Sequence, residues 1–240
     1  MAGVRGTSVS GRVSWLLGAS LAIVYLSTTL GHYRPLLASR DQYDDSYITY
    51  RYATNWAEGR GLVFNRDERV DAASSPLYAA LLALLDRAGA TDLEAVGLAI
   101  GLASGCWALF MVARCGLLLS GSALATAMFA LPVALSGWLC GWSVSGMETT
   151  LDLALVITFV TFYAEGRTFA AATALALGLV CRSEGVLLWV AAGAAELWSA
   201  RGRPRRSGWI LIGTGTAVLL LMFAWRFVTY GEVLPQPLLY

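Results

Sequence analysis

Two adjacent carboxylates, Asp44 and Asp45, are the sharpest chemical feature of this 240-residue chain. Neighbouring carboxylates repel, so one can hold a raised pKa and act as a general base. On a helix they point roughly 100° apart, so only one faces a given cavity. A structural role competes with this: both would cap a helix start and complement its dipole. His32 is the single histidine, which argues against a histidine metal site or a Ser-His-Asp triad. Cys106, Cys115, Cys140 and Cys181 lie in or beside apolar runs without a Cys-x-x-Cys pair, and are expected as small buried hydrophobes.

The elements that carry these residues follow from periodicity. Over 44–58, Ile48, Tyr52 and Trp56 recur every four residues, with Asp44, Arg51 and Asn55 on a neighbouring polar stripe. That pattern predicts an aromatic helix too short and too charged to cross a bilayer, lying instead along its surface. Glu58-Gly59-Arg60-Gly61 ends it, Leu62-Val63-Phe64-Asn65 is expected extended, and Asn65-Arg66-Asp67-Glu68-Arg69 is a charged turn. Ser75 and Pro76 then predict a second short surface helix, with Ser75 as its cap.

Composition places both helices in a membrane protein. Hydrophobic residues make up 57% and charged residues 14%, against about 45–50% and about 25% in soluble domains. All 17 basic residues are arginine and the net charge is +1, which gives no reason to expect a nucleic-acid partner. Apolar runs at 13–30, 93–113, 123–139, 149–164, 168–181, 185–200 and 209–227 are candidate spans. Arg182-Ser183-Glu184 separates the fifth from the sixth, which could instead form a re-entrant hairpin. Arg201, Arg203, Arg205 and Arg206 set the orientation by the positive-inside rule.

The expected organisation is an all-α, single transmembrane module over 1–240: a cytoplasmic 1–12, a first span at 13–33, an outer loop at 34–92, six further spans over 93–230, and an outer tail at 231–240. The outer loop carries seven arginines and ten carboxylates from Arg34 to Glu94. A loop of this length usually carries function. No carboxylate or arginine falls at mid-span, which weighs against a transporter.

Taken in order, the motifs resemble those of GT-C membrane glycosyltransferases, most closely the actinobacterial arabinofuranosyltransferases that add terminal arabinose to cell-wall arabinan. The match runs through Asp44-Asp45, Arg51 and Asn55, then Gly59-Arg60-Gly61-Leu62-Val63-Phe64-Asn65, then Glu68-Arg69-Val70-Asp71. It continues with Ser145-Gly146-Met147-Glu148, Arg182-Ser183-Glu184 and Tyr230-Gly231-Glu232-Val233-Leu234-Pro235. Asp71 stands where relatives often carry glutamate, and Ser183 where they carry proline. Such enzymes usually continue past the point matching Tyr240, so the resemblance also implies a fragment, a split subunit or an inactive remnant.

The resemblance implies a seven-helix membrane module in the plasma membrane, N-terminus cytoplasmic. It would move a sugar, arabinofuranose or else mannose or another, from a polyprenyl-phosphate donor to a cell-wall glycan on the outer face. Asp44 or Asp45 would be the base. Glu148 would orient the acceptor or assist a divalent cation, unless it is a plain helix N-terminal carboxylate. Arg182 would pair with the donor phosphate or else with Glu184. Arg51 would bind phosphate or pair with Asp44, and Asn55 would line the substrate site. Asp44, Asp45 and Glu148 are hard oxygen ligands for a cation, though their spacing requires none. The competing class is a non-catalytic membrane subunit that binds a lipid-linked sugar.

Overall fold

Each apolar run becomes helix. In the computed structural model, which describes residues 11–39, 42–65, 69–71, 73–199 and 206–232, three helices are long and apolar enough to cross a membrane. They are α1 (Gly11–His32), α5 (Leu93–Ser120) and α11 (Arg206–Tyr230). The others are α2 (Arg34–Ser39), α3 (Asp44–Ala57), α4 (Pro76–Arg87), α6 (Ala123–Ala134), α7 (Gly137–Ser143), α8 (Thr149–Ala164), α9 (Thr168–Cys181) and α10 (Gly185–Ser199). Trp15, Leu16 and Ile23 on α1, and Leu220, Leu221 and Phe227 on α11, are exposed. Apolar faces of that extent are costly in water and ordinary in lipid, consistent with a multi-pass membrane protein. Arg5, Glu68, Arg201, Arg203, Arg205 and the 233–240 tail lie outside the described residues.

The expected count of seven spans is corrected by length. α8, α9 and α10 contain 16, 14 and 15 residues, about 24, 21 and 22 Å at 1.5 Å each, short of a ~30 Å hydrocarbon core. Length and composition support three spans, or four if one bent pair counts as a span. That pair is the 123–139 run, expected to be continuous. Pro132 lies inside α6, where it lacks an amide hydrogen and crowds the preceding turn. The helix stops at Ala134, and Ser136 starts α7 by accepting a hydrogen bond from the Leu139 amide at 3.1 Å. The two segments are bent by 57°. The turn expected over 140–148 is correspondingly shorter, because α7 runs through Ser143.

The chain forms two compact units, interleaved in sequence. One comprises Met1–Gln42 and Leu98–Arg167. Its core is Leu21, Tyr25, Leu109, Ala113, Ala130, Ala134, Leu139 and Cys140. Small residues permit close helix approach there, as they do in membrane bundles. A β-carbon on Gly105 would run into the Tyr25 ring, and one on Gly18 into Phe110. Polar contacts are local. Trp107 Nε1 donates to Thr158 Oγ1 at 2.9 Å, and Arg114 makes a two-pronged contact with Glu165, its Nη2 donating to Oε2 at 2.9 Å.

The second unit comprises Tyr43–Gly97 and Thr168–Tyr240. α3 packs on α4, α4 on α9, and α11 on both α9 and α10. As its sequence predicts, α4 starts with Ser75 as cap, the hydroxyl accepting from the Tyr78 amide at 3.3 Å, and Pro76 in the first turn. Tyr52, Leu62, Ala73 and Ala79 form a core with Ile48, Phe64 and Trp225 against it. Tyr52 donates its hydroxyl proton to Val70 O at 2.6 Å, and Tyr230 to Leu62 O at 2.8 Å. These two phenols tie the 62–70 segment to helices on either side of it in sequence.

Candidate functional site

α3 places Asp44 and Asp45 in its first turn, both exposed. Tyr43 at the cap position contributes no side-chain hydrogen bond, so the carboxylates sit where the helix dipole favours negative charge. Neither makes a hydrogen bond or ion pair with another described residue. Ser46, one residue on, is buried and donates its hydroxyl to Tyr43 O at 2.6 Å, which fixes the first turn. The helix start is thereby held while the acidic pair stays open to solvent.

The inner face of α3 differs from the period-four stripe expected from the sequence. Ser46, Thr49, Tyr50, Tyr52, Ala53 and Asn55 are buried, whereas Trp56 is exposed. A true 3.6-residue period drifts away from a strict spacing of four, and small residues let α3 approach its neighbours. Asn55 therefore turns inward. Its Nδ2 donates to Val63 O at 2.8 Å and Phe64 O at 2.9 Å, while its Oδ1 accepts from Arg60 Nη1 at 2.7 Å. One amide side chain thus satisfies two loop carbonyls and anchors an arginine. Gly59 and Gly61, with φ of 81° and 89°, supply the left-handed backbone this reversal needs.

Arg51 is held by the same segment, not by Asp44. Its Nε donates to Phe64 O at 3.0 Å, and its guanidinium lies over the Phe64 ring at 5.3 Å. Arg60 also pairs with Glu58. Arg51, Thr54, Asn55 and Arg60 line an open polar cavity of about 360 Å³.

At the α9–α10 turn, Arg182 Nη2 donates to Glu184 Oε1 at 2.8 Å. That hydrogen bond holds the Glu184 carboxyl below its ordinary range against the opposing effect of partial burial. Of the two partners considered for Arg182, Glu184 is the one it meets. In the other unit, Glu148 occupies the cap position of α8 and is fully buried. The preceding turn depends on Gly146, at φ 78°, and on Ser145 Oγ, which accepts from the Met147 amide at 3.1 Å. Among the described residues no group of three or more His, Cys, Asp or Glu could hold a metal ion.

Sequence spacing did not disclose a buried ion pair between Asp71 and Arg226. Arg226 Nε donates to Asp71 Oδ2 at 2.9 Å, with both side chains almost fully buried. Asp71 Oδ1 is buried and has no hydrogen-bond partner among the described residues. Burial pushes the Asp71 carboxyl above its ordinary value, opposed by the Arg226 charge and hydrogen bond. Arg226 also lines an apolar cleft of about 140 Å³ with Pro76, Leu179, Val186, Leu219 and Phe223. Comparison with protein-family models, curated proteins and solved structures returns no match for the chain.

Proposed function

We propose that the chain is the membrane module of a GT-C-like glycosyltransferase. It moves a sugar, arabinofuranose first and mannose or another second, from a polyprenyl-phosphate donor to a cell-wall glycan at the outer face of the plasma membrane. The observation that carries the proposal is the exposed Asp44–Asp45 pair at the fixed start of α3. A carboxylate so placed can take the proton of an acceptor hydroxyl as the sugar is transferred. The apolar helices support it as well, since a prenyl tail stays in lipid while its phosphate and sugar remain at the interface. The short α9 and α10, joined at Arg182–Glu184, would serve as two spans of a seven-helix module or as a re-entrant hairpin.

A second reading, a non-catalytic membrane subunit that binds a lipid-linked sugar, is favoured by one set of contacts. Asn55, Arg182 and Glu184 are all engaged within the protein. Transfer of labelled arabinofuranose or mannose in membranes containing the chain, beside Asp44→Asn and Asp45→Asn, separates the two. Transfer lost in one variant supports the enzyme. Donor binding without transfer supports the subunit.

A further inference from the structure

The geometry points to a phosphate-binding site in the open cavity on α3, built by Arg51 and Arg60 with Thr54 between them. The inference deepens the proposed function and rests on it for the identity of the ligand, a phosphomonoester or phosphodiester anion. The chemistry itself is independent of sugar transfer.

The two guanidiniums are differently prepared. Arg51 is anchored through Nε to Phe64 O and stacked over the Phe64 ring. Its two terminal amino groups make no hydrogen bond with any described residue. They form the flat, doubly donating edge that suits phosphate oxygens, and the anchored stem loses little freedom on binding. Arg60 is fixed by Nη1 to Asn55 Oδ1 and by its pairing with Glu58. The charges at the site are therefore two arginines and one carboxylate, a net +1. A dianion would complete it, and a neutral sugar would not. Thr54 adds a hydroxyl to the same wall, and the cavity of about 360 Å³ is roomy enough for a phosphate group. The Arg182 guanidinium, by contrast, already meets a carboxylate. This contrast assigns the phosphate to α3 and not to the α9–α10 turn.

The test uses the full chain in uncharged maltoside micelles at fixed chloride, titrated calorimetrically with inorganic phosphate and with dodecyl monophosphate. Arg51→Gln and Arg60→Gln are each expected to weaken binding about tenfold or more, and Arg51→Lys to retain part of it. Arg51→Gln also removes the Phe64 tie, so melting temperature is read alongside. Arg60→Gln and Thr54→Val probe the site without touching that tie. Much tighter binding of dodecyl phosphate identifies a lipid headgroup as the source, and equal binding a free anion. Absence of phosphate binding, or binding unchanged in both arginine variants, overturns the site. Phosphate binding that depends on Arg51 in a chain that transfers no sugar keeps the site and removes the glycosyltransferase assignment. Transfer that is indifferent to both arginines does the reverse.

Discussion

Replacing Arg226 with methionine removes the guanidinium that faces a carboxylate exposed to only 1% of its surface. Methionine keeps most of the volume of the side chain beside the apolar cleft, so packing changes little. The loss is electrostatic. Breaking a buried pair by deleting one partner costs about 3–5 kcal/mol, because the remaining charge is stranded. The structure argues for the lower end, about 3 kcal/mol or roughly a 150-fold change in the folded-to-unfolded ratio. A single hydrogen bond joins the pair, and Asp71, its carboxyl already raised by burial, can escape by taking up a proton. The sign of the pH dependence follows. A group with a raised folded-state pKa favours the folded chain most at low pH, and that contribution is lost as pH rises through the folded value. Without Arg226, which opposes the rise, the pKa climbs further. The destabilisation should therefore be larger at pH 8 than at pH 5. Denaturant titration of the full chain in micelles at both pH values measures it, and Asp71→Asn in the Arg226→Met background should recover part of the loss. A single variant as stable as the parent at pH 8, or a deficit equal at both pH values and unrepaired by Asp71→Asn, would refute the reasoning.

Asn55→Ala should cost about 2 kcal/mol, since the carbonyls of Val63 and Phe64 lose their shared donor and Arg60 its acceptor; thermal melts of the purified chain measure the loss. Gly105→Val should destabilise by about 1–3 kcal/mol through collision with Tyr25, also read by melting. Glu184, held below its ordinary range by Arg182, stabilises the α9–α10 turn at neutral pH. Amide protection at Gly185–Leu187 should fall as the medium is acidified through the carboxylate range, and Glu184→Gln should abolish that pH dependence.

Local patterning made much of this architecture legible. The boundaries of α8 and α9 coincide with the apolar runs at 149–164 and 168–181, and Ser75-Pro76 announced α4 through cap chemistry alone. The break at Pro132 and Ser136 was written in the same kind of signal, but apolar length overrode it. Asn55 was misplaced because small buried residues, Ser46, Thr49 and Ala53, set the inner face of α3 and carry little weight in a hydrophobic count. The Asp71–Arg226 pair joins residues 155 positions apart. Nothing in local spacing encodes such a partner, and only the packing of α11 in its own unit brings the two together. Of the candidate site, the exposed Asp pair and the Gly59–Gly61 reversal were readable, while the use of Arg51 and Asn55 as anchors for the 63–64 carbonyls was not.

The most direct test of the central claim is sugar transfer itself. Membranes carrying the full chain would be supplied with labelled polyprenyl-phosphate arabinofuranose and an oligosaccharide acceptor, with Asp44→Asn and Asp45→Asn run in parallel. The account predicts transfer that one of the two substitutions abolishes while the protein remains folded. Transfer that survives both substitutions would contradict it.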